Sequence, residues 1–407
     1  MNPNDEVRCS LCGKTAKQAS NQIISGVNGS ICKECNALCA PLFAEMEEAP
    51  NFAGMKVPSA REIKAFLDQY VVGQDRAKRV IAVAVHNHYS RITATKNAPM
   101  PDVELDKSNV LLIGPTGSGK TLLAQTVARM LDVPCAISDA TTLTEAGYVG
   151  DDVENVILRL YQAANGNLEA TERGIIVIDE IDKKAKKNAG VSLTRDVGGD
   201  GVQYALLKIV EGMESDVPLE GGRKHPNGQN VRINTKNILF IFCGAFVGLD
   251  NIVKSRIKGK SSLGFDSCES EGHGVENIEP EDLVAFGLVP ELVGRIPVVS
   301  NLEKLSEDDL IHILTQPKNA ILKQYEKLAL LDKATLQFTD EAKREIAHQA
   351  YTRGTGARGL RSVVEMTLLE TMYGIKDGDA IVVTKDMVIK NVDEDRKSSQ
   401  IKSEKVA

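Results

Sequence analysis

The octapeptide from Gly114 to Thr121, GPTGSGKT, constrains the fold of this chain more than any other stretch. It fits the pattern G-x-x-x-x-G-K-[ST] in full, follows the apolar run Val110–Ile113 and opens an amphipathic segment, Thr121–Leu131. This pattern between a strand and a helix is typical of a phosphate-binding loop. The sequence therefore predicts an α/β fold in which helices cover a buried parallel sheet and a nucleotide binds beside that loop.

Every position of the octapeptide has a part in this prediction. The glycines let backbone N–H groups surround the phosphates, Lys120 is expected to reach the β- and γ-phosphates, and the Thr121 hydroxyl is expected to bind Mg²⁺. The predicted nucleotide-binding residues of the loop are Gly114, Pro115, Thr116, Gly117, Ser118, Gly119, Lys120 and Thr121. The alternative is a glycine-rich turn without a ligand.

A second half of the nucleotide site is predicted where the apolar run Ile175–Ile178 ends in Asp179 and Glu180. Ligands of a parallel sheet bind at the carboxyl ends of its strands. Asp179 is expected to hold the Mg²⁺, directly or through water, and Glu180 to orient and polarise the water that attacks ATP. The alternative, that the two carboxylates cap a helix, is weaker because a complete phosphate-binding loop lies about sixty residues upstream.

Four of the eight cysteines form two C-x-x-C pairs near the N-terminus, separated by nineteen residues. Two residues between ligands let each turn direct two sulfurs at one ion, and four thiolates complete a tetrahedron around zinc. The predicted Zn²⁺ ligands are Cys9, Cys12, Cys32 and Cys35. The alternative is a coincidence of buried or reactive thiols. Cys39 is interpreted as a small core residue.

At 407 residues the chain is long enough for two or three domains. Shifts in composition divide it into a zinc-binding module (1–50), a linker (51–58), a large α/β domain (59–300), a mostly helical small domain (301–392) and a charged tail predicted to be disordered (393–407). In the large domain, a helix is expected to begin at Ser59, with Glu62 three residues on, and a second to span Gln74–Val85 before a polar loop, Thr93–Lys107.

Apolar patterning predicts the remaining elements. The predicted strands are Val110–Ile113, Ile175–Ile178, Ile238–Phe242 and Ala380–Thr384. The predicted helices are Thr121–Leu131, Val153–Gln162, Val202–Glu211, Asp308–Leu314, Pro317–Leu328, Asp340–Ala350 and Gly359–Tyr373.

Charge and hydropathy exclude several classes of protein. A formal net charge of −7 argues against a dedicated nucleic-acid binder, which usually has a strongly basic domain. The most apolar uncharged stretch, Ile238–Leu249, has twelve residues, which is too short to span a bilayer. The first six residues have neither a basic nor an apolar signal region. We therefore expect a cytoplasmic protein that contacts neither membrane nor nucleic acid.

A four-Cys module joined to this type of ATPase resembles the ClpX family of AAA+ unfoldases, the ATP-binding subunits that feed a ClpP-type peptidase. The resemblance runs from Cys9 to about Val392. It implies an AAA+ large domain and small domain, a homo-hexamer, ATP-driven unfolding of tagged proteins through the hexamer pore, and delivery of the unfolded chain to the peptidase. It also implies that protein substrates and adaptors bind through the zinc module.

The resemblance assigns further residues to the nucleotide site. Val71 and Val72 match the segment whose apolar side chains pack on adenine. Arg295 matches the arginine finger that is offered to the ATP of the neighbouring subunit, and Arg358 matches the sensor-2 arginine of the small domain. Without the family, each arginine reads as a surface residue near a turn.

The resemblance also assigns the residues that would grip substrate. Tyr148 and Val149, between two glycines, match the first pore loop, and Arg195 lies in the segment that matches the second. The basic triplet Arg223, Lys224 and His225 matches the pore-entrance loop that helps to recognise substrate tails. Read alone, Tyr148 would be a residue packed in a turn and the triplet a solvated loop.

The tripeptide Leu263-Gly264-Phe265 lies in a Gly- and Ser-rich stretch and matches the peptidase-docking tripeptide of the family, which usually begins with Ile. Two large apolar residues in such a loop are typical anchors for a partner pocket; the alternative is that both fold back onto their own domain. The stretch that follows the tripeptide, Asp266–Glu276, is shorter than usual in the family. A second departure from the family pattern is Cys243, which is unusual at the sensor-1 position.

Three other functions compete with a peptidase-coupled unfoldase. The first is an ATP-driven remodeller that never meets a peptidase. The second is a zinc-dependent binding module with a nucleotide-sensing switch, against which Glu180 argues, because a switch does not need a water-activating carboxylate. The third is a nucleic-acid motor, which the acidic net charge and Tyr148 disfavour.

Overall fold

The computed structural model describes residues 8–15, 18, 22–26, 29–39, 57–94, 100, 103–144, 151–186, 199–218, 230–261 and 278–392. The chain forms two compact units, Met1–Lys56 and Val57–Ala407. The predicted tail, 393–407, and residues 51–56 of the predicted linker lie outside the described residues.

The first unit is small and is built around its cysteines. Strands Ile23–Ser25 and Ser30–Cys32 pair antiparallel, and a helix follows over residues 33–39. Among the described residues of this unit, Cys9 and Cys32 are the buried ones, and Ile23 and Ile31 pack against them. Cys39, predicted to lie in a core, is only half-buried. So small an apolar core contributes little folding free energy, which makes a structural metal the expected source of stability.

The second unit is organised around a five-stranded sheet. Its strands, named here in chain order, are β1 Val110–Ile113, β2 Cys135–Asp139, β3 Ile175–Asp179, β4 Leu239–Gly244 and β5 Val298–Asn301. They pair in the order β5-β1-β4-β3-β2, and every pair is parallel. The residues of β1 and β4 are buried throughout, because helices cover both faces of the sheet. The predicted parallel α/β fold is confirmed.

The register of the central strands brings three chain segments to one edge of the sheet. Ile113 lies beside Gly244, and Phe242 lies beside Ile178. The phosphate-binding loop leaves β1 at this edge, and Asp179 ends β3 there. The carboxyl edge of a parallel sheet is where α/β proteins bind ligands, so the fold itself collects the predicted nucleotide-binding residues.

The helix at the start of this unit agrees with its sequence signal, whereas the second helix is longer than predicted. Ser59 caps Ala60–Leu67, and Glu62 completes the capping box. The second helix runs over Asp75–Thr93 and not only to Val85, because the apolar face continues through the buried Tyr89, four residues on.

The other elements of the large α/β part surround the sheet. Its remaining helices are Lys120–Leu131, Asn155–Ala163, Leu168–Glu172, Asp200–Glu211, Leu249–Ser261, Pro280–Phe286 and Pro290–Gly294, with short 3-10 helices at Ala140–Thr142, Ile181–Lys184 and Thr235–Asn237. An antiparallel pair joins Glu214–Pro218 to Asn230–Asn234, and a short parallel pair joins Leu143–Thr144 to Asp151–Asp152.

After β5 the chain becomes mainly helical. The helices are Glu307–Thr315, Ile321–Leu331, Asp340–Thr352, Ala357–Tyr373 and one over residues 385–392. The helix predicted from Pro317 begins only at Ile321. A parallel pair that joins Thr335–Phe338 to Ala380–Val383 adds a strand that the sequence reading did not predict. These elements share their own core, which includes Leu310, Ile346 and Leu360.

Within the part of the chain that is described, no helix combines the length and the apolar character needed to cross a bilayer.

Candidate functional site

The phosphate-binding loop borders a cavity of about 510 Å³ at the carboxyl edge of the sheet. The loop, the end of β3, the end of β4 and the first turn of Ala357–Tyr373 all contribute to its wall. The lining residues are Thr116, Gly117, Gly119, Lys120, Thr121, Leu122, Asp179, Glu180, Asp182, Lys183, Ala245, Val247, Ile321, Ala357, Arg358 and Arg361. The volume lies in the range typical of small-molecule sites.

Lys120 is the first residue of the helix that follows the loop, and it is buried. Its Nζ donates hydrogen bonds to the carbonyl oxygens of Gly114, at 2.7 Å, and Pro115, at 2.9 Å. Burial lowers the pKa of Lys120, while the neighbouring Cys243 and Asp179 oppose that shift. A desolvated amine at the floor of a loop rich in N–H donors is suited to an anion such as a triphosphate.

Thr121 and Asp179 meet across the cavity although 58 residues separate them in the chain. The Thr121 hydroxyl donates to Asp179 Oδ2 at 2.8 Å. Mg²⁺ prefers hard oxygen ligands, and here a hydroxyl oxygen and a carboxylate oxygen lie side by side. In nucleotide sites the phosphate oxygens complete such a ligand set. The two residues therefore fit the magnesium site predicted from the sequence.

Glu180 and Asp179 both line the cavity, but Glu180 is exposed whereas Asp179 is half-buried. Its backbone lies in the left-handed region, with φ of 57° and ψ of 33°, and its N–H donates to Asp179 Oδ1 at 2.9 Å. Among the described residues, the Glu180 carboxylate has no hydrogen-bond partner. A non-glycine residue in this conformation carries strain of the kind that concentrates at functional sites.

The sequence reading missed Asp182, which joins the end of β3 to the end of β4. Asp182 Oδ1 accepts a hydrogen bond from the Ala245 N–H at 3.2 Å. The contact needs glycine at position 244, where a Cβ would lie 2.7 Å from Asp182 Oδ1 and 2.6 Å from the Phe246 ring. Asp182 lies two residues beyond Glu180, and nothing in the sequence distinguishes it from an ordinary surface carboxylate.

Cys243, which the sequence left without a role, is buried within β4. Burial raises the pKa of its thiol, and the neighbouring carboxylate of Asp179 raises it further. The side chain therefore stays protonated and behaves as a small apolar residue behind the phosphate-binding loop.

The small helical part contributes a cationic wall to the cavity. Ala357 N–H donates to Gly117 O at 3.2 Å, which joins the loop to the start of the last long helix. From that helix Arg358 and Arg361 both reach the cavity. Arg361 was missed, although residues three apart share a helix face, so its spacing from Arg358 was the available signal.

A methyl group at Gly117 is expected to break this contact. The residue has a φ of +78°, and a Cβ would lie 2.5 Å from Thr355 O, which is backbone and cannot rotate away. Because this clash separates the loop from the start of Ala357–Tyr373, Gly117→Ala should weaken nucleotide binding about tenfold, which corresponds to roughly 1.4 kcal/mol. A fluorescent ADP analogue, titrated into the purified variant, measures this.

Gly248→Ala is the matched control, because Gly248 also has a left-handed φ, of +94°, but a Cβ there would meet no heavy atom within 4 Å. It should bind the analogue like the parent protein. Similar losses of affinity in both variants would show that backbone strain alone, and not the contact with Thr355, explains the effect.

Six residues predicted for the nucleotide site are not among those that line this cavity: Gly114, Pro115 and Ser118 of the loop itself, and Val71, Val72 and Arg295, which lie farther away. Val71 and Val72 line a second cavity, of about 390 Å³, together with Lys78 and Lys318. Arg295 is exposed and forms an ion pair with Glu211, with Nη2 and Oε1 2.8 Å apart. The structure thus brings Arg358 to the phosphate-binding loop but leaves Val71, Val72 and Arg295 elsewhere in the same unit.

The four predicted zinc ligands form one cluster in the first unit. The sulfurs of Cys9, Cys12, Cys32 and Cys35 all lie within 4.8 Å of one another. Zn–S bonds of about 2.3 Å in a tetrahedron place sulfurs about 3.8 Å apart. Cys12 Sγ and Cys32 Sγ are separated by 3.7 Å, which fits zinc and is too long for a disulfide. The donor set therefore fits a structural Zn²⁺, which would hold both turns together.

Backbone N–H groups favour the thiolate form within this cluster. Hydrogen bonds from the backbone, that of Cys12 first, lower the pKa of Cys9 to about 6 despite opposing desolvation. The Cys32 N–H donates to Cys9 Sγ at 3.3 Å, and the Cys35 N–H donates to Cys32 Sγ at 3.5 Å. The hydrogen bond with the Cys12 side chain raises the pKa of Cys35. One cysteine that ionises readily gives an incoming cation its first ligand.

The residues predicted to handle substrate and peptidase lie outside the described residues. They are Tyr148 and Val149 of the first pore loop, Arg195 of the second, Arg223, Lys224 and His225 of the pore entrance, and Leu263, Gly264 and Phe265 of the docking tripeptide.

Comparison with known families matches three segments of the chain. Residues 105–299 match the AAA domain (Cdc48 subfamily), and residues 305–375 match the C-terminal, D2-small domain of ClpB protein. Residues 7–45 match the ClpX C4-type zinc finger, which includes the four clustered cysteines. The predicted ATPase domain and zinc module are confirmed.

Two curated relatives match nearly the whole chain. They are the ATP-dependent Clp protease ATP-binding subunits ClpX of Borrelia duttonii (strain Ly) and of Borrelia recurrentis (strain A1). Each is 51% identical to this chain over 390 residues, which cover 94% of this chain and 90% of the relative.

Proposed function

The chain belongs to the ClpX family of ATP-binding Clp protease subunits, and from this premise we propose that it unfolds tagged proteins through the pore of a homo-hexamer and delivers them to a ClpP-type peptidase. It is an AAA+ ATPase that uses ATP, Mg²⁺ and Zn²⁺. It has no peptidase activity of its own in this proposal, and it acts in the cytoplasm.

One observation carries the catalytic part of the proposal. Lys120, the Thr121–Asp179 pair and Glu180 border one cavity, to which the helical part adds Arg358. An anion-binding amine, a pair of oxygen donors suited to Mg²⁺ and an unpaired carboxylate are the groups that phosphoryl transfer to water requires.

Each of these groups has a distinct task. Lys120 and the loop N–H groups bind the phosphates, and Thr121 with Asp179 would hold the Mg²⁺ that neutralises phosphate charge. Glu180 orients a water molecule and accepts its proton as the water attacks the γ-phosphate. Arg358, from the helical part, stabilises the charge on the phosphates.

The same cavity can convert hydrolysis into motion. Its wall comes partly from the α/β part and partly from the helical part, which meet directly where Ala357 donates to Gly117. A nucleotide in this cavity contacts both the α/β part and the helical part. Its hydrolysis and release therefore change the relative free energies of the orientations that the two parts can adopt. In the proposed ring, Arg295 reaches the ATP of the neighbouring subunit, and Val71 and Val72 pack on adenine.

The proposed motor transmits this motion to substrate through the pore loops. Tyr148 and Val149 push on the polypeptide, and an aromatic residue between glycines suits the task because it is bulky and indifferent to sequence. Arg195 belongs to a second pore loop, and Arg223, Lys224 and His225 attract substrate tails by their positive charge. The zinc module binds substrates and adaptors.

The proposed docking element is the tripeptide Leu263-Gly264-Phe265, whose two apolar side chains fit a pocket on the peptidase. A second candidate function follows from the stretch after it. Because Asp266–Glu276 is short for the family, the tripeptide has less reach, and the chain would then act as a remodeller that dismantles protein complexes without a peptidase.

Degradation of a tagged, stably folded fluorescent protein separates the two functions. With ATP and the ClpP-type peptidase of the same organism, the peptidase-coupled function predicts loss of fluorescence together with release of peptides. A Leu263→Ala, Phe265→Ala double variant should lose peptide release and keep its ATPase activity. Fluorescence lost without peptides, in both proteins alike, would favour the remodeller.

A further inference from the structure

Arg295 follows the short helix Pro290–Gly294, and its backbone position is fixed by its neighbours. Its N–H donates to Leu292 O at 3.0 Å, and its own carbonyl accepts from Asn109 Nδ2 at 2.8 Å. Asn109 is buried and immediately precedes β1, the strand that leads into the phosphate-binding loop. The start of the Arg295 side chain is therefore tied to the strand that carries the nucleotide site of its own subunit.

The guanidinium of Arg295 is held separately, by Glu211. Nε donates to Glu211 Oε1 at 3.1 Å, and Nη2 donates to the same oxygen at 2.8 Å. This contact uses the side edge of the guanidinium. Among the described residues, Nη1 has no partner, so the end of the planar group remains available to another acceptor, such as a phosphate.

Glu211 occupies a position where a carboxylate does not stabilise its helix. It is the last residue of Asp200–Glu211, and the C-terminal end of a helix has a partial negative charge that disfavours an acidic side chain. That helix end is nevertheless well fixed, because the half-buried Lys107 donates from Nζ to Val210 O and to Thr235 O, both at 3.1 Å. Glu211 therefore does not stabilise its own helix, but the fixed helix end holds it in position to bind Arg295.

We propose that Glu211 is a positioning residue for the arginine finger: it holds the Arg295 guanidinium by its side edge so that the free end faces the nucleotide of the neighbouring subunit. This inference rests on the proposed function, which makes Arg295 the finger. Glu211 itself touches no nucleotide in this arrangement. Because both side chains are exposed, the effect on the rate is moderate.

Mixed assemblies of two single variants test this directly; in this experiment each of these two variants is called a parent, because a further substitution is later added to it. Arg295→Lys subunits keep Glu180 and lack the finger, whereas Glu180→Gln subunits keep the finger and lack the catalytic carboxylate. If the finger acts between subunits, the mixture hydrolyses ATP faster than either parent alone. Without that rescue, the finger assignment in the proposed function is overturned, and the role of Glu211 with it.

Glu211→Ala is then introduced into one parent at a time. In the Glu180→Gln parent, which donates the finger, the rescued kcat should fall about 3-fold with KM for ATP unchanged, because an exposed pair orients a side chain only weakly. In the Arg295→Lys parent, which receives the finger, rescue should not change. Glu211→Gln, which keeps an oxygen acceptor, should lose less than Glu211→Ala.

The matched control is Glu214→Ala, which removes another exposed carboxylate close in sequence that pairs with Arg232 and not with Arg295. It should leave rescue unchanged in either parent. Rescue that survives Glu211→Ala in the finger-donating parent would overturn the role of Glu211 and leave the finger assignment standing. Equal losses in both parents would also overturn it, since a purely structural effect does not depend on which subunit donates the finger.

Discussion

Glu180→Gln is expected to lower the rate of ATP hydrolysis about 100-fold or more while ATP still binds. The Glu180 carboxylate is exposed to the cavity and has no hydrogen-bond partner among the described residues, so its replacement breaks no observed contact. Gln has nearly the same shape and cannot accept a proton from water. The Thr121–Asp179 pair and Lys120 remain to bind the nucleotide.

Steady-state phosphate release and binding of a fluorescent ATP analogue, measured on the same preparation, test this prediction. Glu281→Gln is the matched control, because it makes the same change at an exposed carboxylate outside the cavity and should hydrolyse ATP at the parental rate. A Glu180→Gln protein that hydrolyses ATP normally would exclude Glu180 as the residue that activates water. Loss of both binding and hydrolysis would indicate a structural role instead.

Removal of zinc is expected to unfold the first unit and to leave the basal ATPase rate essentially unchanged. In the described part of that unit the buried residues are Cys9 and Cys32, both of which belong to the sulfur cluster, so this part has little apolar core without the metal. In zinc-finger peptides the metal contributes roughly 10–16 kcal/mol at pH 7, far more than so small a core supplies. The residues that border the nucleotide cavity all belong to the second unit.

Cys12→Ser and Cys39→Ser form a matched pair for this test. Both change a cysteine of the same module, but only Cys12 belongs to the cluster. We expect Cys12→Ser to lose bound zinc and the amide protection of residues 29–39 in hydrogen exchange, and Cys39→Ser to keep both. Two results would contradict this account: a first unit that stays folded without zinc, or an ATPase rate that collapses in Cys12→Ser alone.

The elements that could be predicted from the sequence are those whose structure is determined by residues close together in the chain. β1 and β3 are continuous apolar runs because both of their faces are covered, and Ser59 with Glu62 forms the expected capping box. The phosphate-binding loop and the paired cysteines are equally local, since their spacing alone defines a ligand geometry.

The elements that sequence missed depend on neighbours distant in the chain. β2 and β5 are the edge strands of the sheet, where burial alternates or is partial, so neither shows a continuous apolar run. Arg361 and Asp182 reach the cavity only after the helical part and β4 are in place. The pairing of Arg295 with Glu211 joins residues 84 positions apart, which no local pattern can indicate.

The central claim is that ATP hydrolysis in this cavity drives the unfolding of proteins. Its most direct test is the native fluorescence of a tagged, stably folded protein, followed with peptidase present, for the parent chain and for Glu180→Gln, with ATP and with a non-hydrolysable analogue. We predict that fluorescence falls only for the parent chain with ATP. If the parent hydrolyses ATP while fluorescence stays constant, or if fluorescence falls equally with Glu180→Gln, the claim is contradicted.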